Sequence, residues 1–127
     1  MINKMISVAA LLLLLGCNGL DPAGPYKGDK VAYGYDLAIA TCTDGVEGFL
    51  AWEQTHRAVL VKTNPKIVER AKLLHDEYPA WAQSAARLSA AYQANPTSEA
   101  RATLEKAMRV LRQALLEATQ YMLEVSQ

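Results

Sequence analysis

Three long runs of residues recur at steps of three and four along the chain, and most of their members are apolar. This spacing places side chains on one stripe of an α-helix. The sequence therefore predicts an all-α fold, an antiparallel three-helix bundle with long helices. The stripes are Tyr35, Ala38, Cys42, Gly45, Phe49, Trp52, His56 and Val59; Ile67, Ala71, Leu74, Tyr78, Trp81, Ala85, Leu88 and Tyr92; and Ala100, Leu104, Ala107, Leu111, Ala114, Ala118, Tyr121 and Val125.

Short connections separate the three runs, at residues 62–64 and 94–95. Each connection ends in an asparagine that is followed directly by a proline, in the pairs Asn64-Pro65 and Asn95-Pro96. Asparagine is a good N-cap, and proline is favoured at the first helical position because its missing N–H would have no intrahelical partner. We therefore expect helices to begin at Pro65 and Pro96. Connections this short make neighbouring helices antiparallel.

Proline and glycine interrupt two of the runs. Pro79 lies inside the second, where it removes a backbone hydrogen bond, and we expect a kink or a break over residues 75–79. Gly45 and Gly48 lie in the first, which is either one bent helix, the interpretation that we favour, or two helices with the second capped by Thr43 or Asp44. Gly45 would also permit close helix approach.

The apolar residues predict both a core and a binding surface. We expect the large core residues to be Phe49, Trp52, Tyr78, Trp81 and Leu111. Further apolar residues flank the third stripe and exceed what a three-helix core needs, so part of that width is predicted to form an interface: Met108, Leu115, Leu116, Met122 and Leu123. Exposed aromatic side chains are typical of binding hot spots. Core packing is the first interpretation of these aromatic residues; if Trp81 or Tyr33 is exposed instead, the candidate binding surface is Tyr33, Trp81, Leu116 and Leu123.

The N-terminal residues have the order of parts of an export signal. Lys4 precedes an apolar stretch of eleven residues, 5–15, and Gly16 stands before Cys17. The stretch is too short to cross a bilayer, which takes about 20 residues. The four residues Leu14-Leu15-Gly16-Cys17 resemble the lipobox of bacterial lipoproteins, although Leu15 is bulkier than the Ala or Ser typical of its position.

The lipobox resemblance implies that a diacylglyceryl group is attached to the sulfur of Cys17. It also implies that the chain is cut between Gly16 and Cys17 and that the new amino group is acylated. Several acyl chains on one residue hold a protein stably on a membrane. Asn18 differs from the Asp that resembles an inner-membrane retention signal, which favours the outer membrane. An ordinary secretory signal, with Cys17 unmodified, remains the alternative.

The predicted organisation has three parts: a signal at 1–16, a lipidated cysteine and flexible tether at 17–30, and a helical bundle at 31–127. The tether is rich in glycine and proline. The chain has 13 basic and 13 acidic residues, and removal of Lys4 leaves a slight negative charge. This balance argues against nucleic acid and against a polybasic patch for anionic lipid. With Cys17 modified, Cys42 has no intrachain partner for a disulfide.

The sequence offers no catalytic constellation. Gly-x-Ser-x-Gly, phosphate-loop and His-Glu-x-x-His motifs are missing from it, and Cys42 lies on an apolar stripe, where burial makes a thiol inert. Glu53 and His56 have the Glu-x-x-His spacing of carboxylate metal sites in helical bundles. They are weak metal candidates, because Lys72 takes the place of the glutamate before the other histidine, His75. We therefore expect no cofactor beyond the covalent lipid.

Together these features resemble small helical lipoproteins of unassigned role found in bacteria and prophages. The resemblance and the surplus of apolar residues predict a lipid-anchored, non-catalytic envelope protein that binds another envelope protein or its own copies. A periplasmic bundle that binds a small ligand or a metal is the main alternative. A phage-encoded lipoprotein with a role in exclusion or lysis is a minor one.

Overall fold

Three long helices make up the part of the chain that the structure describes. The computed structural model describes residues 30–126, with side chains from Tyr33 onward. The predicted signal, Gly16, Cys17 and all of the tether before Lys30 lie outside this range. The helices are α1, Lys30–Thr63, α2, Pro65–Ala94, and α3, Ser98–Ser126. Each helix packs against both others, so the predicted all-α three-helix bundle is confirmed.

The contacts between helices define an up-down-up arrangement. Tyr35 on α1 meets Glu105 on α3, and further along both helices Phe49 meets Tyr121, so α1 and α3 are parallel. Arg70, near the start of α2, meets Glu117, late in α3, so these two helices are antiparallel. With 29 to 34 residues each, the helices are about 44 to 51 Å long at 1.5 Å per residue.

The helix ends differ in part from the prediction. Pro65 is the first residue of α2, as predicted, but the Asn64 side chain makes no capping hydrogen bond. The prediction that α3 begins at Pro96 is wrong. Asn95 instead ends α2, where its N–H donates to the Ala91 carbonyl at 3.0 Å. The Thr97 hydroxyl accepts the N–H of Ala100 at 3.0 Å and so provides the cap of α3.

Both interrupted runs form continuous helices. The prediction that α1 is one helix through Gly45 and Gly48 is confirmed. The break that we considered at Pro79 is wrong, because α2 is helical from Pro65 to Ala94. Leu74 and Tyr78 precede Pro79 in the core and Ala85 follows it there. Packing on both sides of the proline thus holds the helix together despite the missing hydrogen bond.

The buried residues follow the predicted stripes with local exceptions. Phe49, Trp52, Tyr78 and Leu111 are buried as predicted, whereas Trp81 is only half-buried. Other buried apolar residues are Tyr35, Cys42, Val46, Leu60, Ile67, Ala71, Leu74, Ala85, Tyr92, Leu104, Met108, Ala114, Leu115, Ala118 and Met122. Met108, Leu115 and Met122 thus belong to the core, because the core is wider along α3 than one stripe.

The assignment of Val59 to the core is wrong. Its side chain is 62% exposed, and Leu60, at 1%, is buried instead. A straight α-helix turns by about 100° per residue. Leu60 therefore points within about 20° of Tyr35, 25 residues earlier, whereas Val59 points about 120° away. Residues that follow a strict seven-residue repeat therefore shift gradually around a straight helix, and the later ones leave the buried face.

Candidate interaction groove

Two of the four predicted surface residues line one groove. Trp81 lies on α2 and Leu116 on α3, and the antiparallel packing of these helices brings them to the same depression. We call this depression, which has a volume of about 540 Å³, the α2–α3 groove. Tyr33 and Leu123 are half-buried and do not line it. The groove is lined by Arg70, Trp81, Arg109, Val110, Arg112, Gln113, Ala114, Leu116 and Glu117.

The lining of the α2–α3 groove includes Val110, Leu116 and Trp81, which together we call its apolar centre. Val110 is 44% exposed and Leu116 is 48% exposed, and both line the groove, although their side chains leave α3 about 120° apart. Trp81 is half-buried, and its ring packs edge-on against buried Tyr78 with 6.4 Å between ring centroids. The core therefore fixes the position of Trp81. An apolar surface of this kind, open to solvent, is a candidate interaction site.

One end of the groove is fixed by an ion pair between the helices. Arg70 donates to Glu117 through Nε and through Nη2, the latter at 3.0 Å from Oε2. The Tyr121 hydroxyl also donates to Glu117 Oε1, at 3.0 Å. The hydrogen bonds to Glu117 raise the pKa of Arg70 above its ordinary value. Arg70 and Glu117 therefore neutralise each other and join α2 to α3.

The two other arginines of the groove are less firmly paired than Arg70 or form no ion pair with the described residues. Arg112 is half exposed and approaches Glu105 only at 3.5 Å, Nη1 to Oε2. Glu105 also accepts a hydrogen bond from the Tyr35 hydroxyl on α1, which holds the pKa of that carboxyl below its usual range. Arg109 forms no ion pair with residues 33–126. The groove thus has a positive rim beside its apolar centre.

The sequence did not predict this positive rim. The overall charge is balanced, and Arg70 is far in sequence from Arg109 and Arg112. The only local signal is the spacing of Arg109, Arg112 and Leu116, since positions three, four and seven residues apart lie on one helix face. The pairing of Arg70 with Glu117 depends on the register between α2 and α3, which the sequence pattern leaves open.

The weak metal candidates are engaged by other partners. Glu53 is 1% exposed, and its two carboxylate oxygens accept hydrogen bonds from Arg57 at 2.9 and 2.6 Å. His56 Nδ1 lies 2.8 Å from the carbonyl oxygen of Trp52 and donates to it. Within the described range, no three His, Cys, Asp or Glu residues are grouped as metal ligands would be.

A second groove lies between α1 and α2. It has a volume of about 450 Å³ and is lined mainly by charged and polar side chains, including Glu53, Arg57, Lys72, His75 and Asp76. Its charged side chains include both cations and anions. Of the four large apolar side chains that are exposed among residues 33–126, Val110 and Leu116 line the α2–α3 groove, whereas Val59 and Val61 lie near the end of α1 and line neither groove. The α2–α3 groove is therefore the stronger of the two grooves as a candidate for binding a protein.

None of the helices between Lys30 and Ser126 is apolar enough over its length to cross a membrane. No protein-family model matches the sequence, and no curated protein or solved structure is significantly similar to it.

Proposed function

We propose that this protein is a non-catalytic, lipid-anchored module of the bacterial envelope that binds a protein through the α2–α3 groove. The observation that carries the proposal is the exposure of Val110 and Leu116 beside Trp81 in one groove. Aromatic and arginine side chains are enriched at the centres of protein interfaces. The partner is another envelope protein or a second copy of this chain.

The chemistry of the groove favours binding over catalysis. Its ionisable side chains are three arginines and Glu117, which pairs with Arg70. Guanidinium groups stay protonated at physiological pH, so they pair with carboxylates and do not transfer protons. The groove is therefore suited to hold a partner and not to act on a substrate.

The anchor part of the proposal comes from the N-terminal sequence. The lipobox-like residues Leu14-Leu15-Gly16-Cys17 favour a lipid on Cys17, and Asn18 favours the outer membrane. Anchoring would confine the bundle near the membrane surface. There it would meet envelope proteins at a high effective concentration, so a groove of modest affinity is sufficient.

The anchor can be tested by fatty-acid labelling in cells. Cells that produce the full-length chain are given an alkyne analogue of palmitate, and Cys17→Ser is compared with Cys42→Ser. We expect the parent chain and Cys42→Ser to be labelled, because Cys42 is a buried core residue. Cys17→Ser should lose the label and leave the membrane fraction. Equal labelling of Cys17→Ser would show that the anchor assignment is wrong.

The groove can be tested by photo-crosslinking in intact cells. A benzoylphenylalanine residue replaces Leu116 in the α2–α3 groove or, as the control, exposed Gln54 in the α1–α2 groove. Position 116 should crosslink to one defined protein, identified by mass spectrometry, and position 54 should not. If neither position crosslinks, or if both capture the same proteins equally, the groove is not the binding site.

A further inference from the structure

We infer that the α2–α3 groove binds an acidic amphipathic α-helix of another envelope protein, which docks as a fourth helix of the bundle. This inference rests on the proposed function and specifies the partner's chemistry. Three features of the groove support it, namely its shape, the charge of its rim and the arrangement of its apolar residues.

The shape of the groove fits a helix. It lies between two antiparallel helices, so it runs along the bundle axis. Arg70 and Trp81 on α2 lie eleven residues apart, which corresponds to about 16 Å or three helical turns. A helix is convex and can fill such a depression, as in helix-in-groove recognition and in four-helix bundles.

The charge of the rim selects an acidic partner. Arg70 is neutralised by Glu117, whereas Arg109 has no ion-pair partner among residues 33–126 and Arg112 has a weak one. Arg109 and Arg112 lie three residues apart, so both guanidinium groups project from the same face of α3. Carboxylates spaced one turn apart on a facing helix can pair with both, in the bidentate geometry that arginine favours. A basic helix would place like charges together there.

The apolar centre specifies the partner's other feature. Val110 and Leu116 are six residues apart on α3, so their side chains diverge by about 120°, and Trp81 of α2 lines the same groove. A partner helix with apolar residues at i, i+3 or i+4, and i+7 would place them along this centre. The expected partner segment is therefore amphipathic, with an apolar stripe bordered by Asp or Glu on the side that faces α3.

A pair of synthetic peptides tests this inference. Both are 18-residue helices with the same leucine stripe, one bordered by glutamate and the other by lysine, and both carry fluorescein. Binding is measured by fluorescence anisotropy to the full-length lipidated protein in phosphatidylcholine nanodiscs, with empty nanodiscs as the reference. We expect the acidic peptide to bind at least tenfold more tightly than the basic peptide, and its affinity to fall as salt rises.

Charge-reversal variants place the effect in the groove. Arg109→Glu combined with Arg112→Glu should reverse the preference, so that the basic peptide binds more tightly. The control combines Lys62→Glu with Arg87→Glu, two exposed cations outside the groove. The control changes the net charge by the same amount and should still bind the acidic peptide more tightly than the basic one, as the parent chain does. Circular dichroism of both variants shows whether the helices are retained.

The outcomes separate this inference from the proposed function. Equal binding of the two peptides, binding of neither, or an unchanged preference in the groove variant would overturn the acidic-helix inference. If position 116 still crosslinks to a defined protein in cells, the proposed function stands without it. Crosslinking of position 116 only to copies of the same chain would identify a second copy as the occupant and would also overturn the inference.

Discussion

At the scale of single residues, Gly45 shows how closely α1 and α3 pack. A Cβ atom at position 45 would lie 2.3 Å from Cδ1 of Leu115, which is itself in the core. Gly48, one turn further along α1, has no atom within 4 Å of the corresponding position. The two glycines therefore have different roles, although both lie inside the same helix.

The two glycines give a matched pair of substitutions. Gly48→Ala should raise the free energy of unfolding by about 0.5–1 kcal/mol, because alanine is the better helix former. Gly45→Ala should lower it, because displacing Leu115 in a packed core costs about 1–3 kcal/mol and outweighs that gain. Urea denaturation followed by circular dichroism measures both. A gain in stability from Gly45→Ala would show that Leu115 moves aside freely.

A buried tyrosine makes the fold sensitive to alkali. Burial raises the pKa of Tyr78 to about 12, and its hydroxyl donates to Thr43 Oγ1 at 3.1 Å. The unfolded chain loses this proton near pH 10 and the folded chain near pH 12. The contribution to stability is therefore complete below pH 10 and is lost as the pH rises toward 12, at up to about 1.4 kcal/mol per pH unit.

Tyr78→Phe tests this pH dependence. The variant has no hydroxyl to titrate, and Thr43 still donates to the Ile39 carbonyl at 2.8 Å. Its free energy of unfolding should fall less steeply between pH 10 and 12 than that of the parent chain. Urea denaturation at pH 8, 10 and 11.5 gives the comparison. Parallel curves for the two chains would mean that Tyr78 titrates normally.

At the scale of helices, the apolar stripes predicted the number of helices and their order along the chain. They did not predict every residue at which a helix begins or ends. Periodicity is a property of a whole run, so one proline does not erase it, and α2 continues through Pro79. The start of α3 depends on the Thr97 hydroxyl, which accepts the N–H of Ala100 and takes the capping role that we predicted for Asn95. The exposure of Val59 depends on drift of the stripe around α1. Both local outcomes depend on geometry that the residue pattern does not specify.

Pro79 is expected to weaken α2 without breaking it. It lies inside the helix and is exposed. Pro79→Ala should raise the free energy of unfolding by about 2 kcal/mol. Alanine restores an N–H donor to the helix, and part of this gain is offset because proline restricts the unfolded chain more than alanine does. Thermal and urea denaturation would detect this change. An unchanged stability would mean that the helix is relaxed around the proline.

At the scale of the whole molecule, the structure separates residues that hold the fold from residues that face solvent on α3. The sequence predicted the core role of Leu111, because each stripe must be buried against the others. The sequence pattern assigned Leu116 to one surface with Leu123 and Tyr33, but those two residues do not line the α2–α3 groove. It placed Met108, Leu115 and Met122 in a possible interface, where they are core. Which flanking residues stay exposed depends on the rotation of α3, and a pattern of apolar residues does not determine that rotation.

The most direct test of the account compares Leu111→Asp with Leu116→Asp. Leu111 is fully buried, so an unpaired charge there should unfold the bundle. Leu116 is 48% exposed, so its substitution should leave the thermal unfolding curve nearly unchanged. It should, however, abolish in-cell crosslinking from a benzoylphenylalanine placed at Val110. Unchanged crosslinking by Leu116→Asp, or its loss together with a fall in the melting temperature, would contradict a binding groove that is separate from the core.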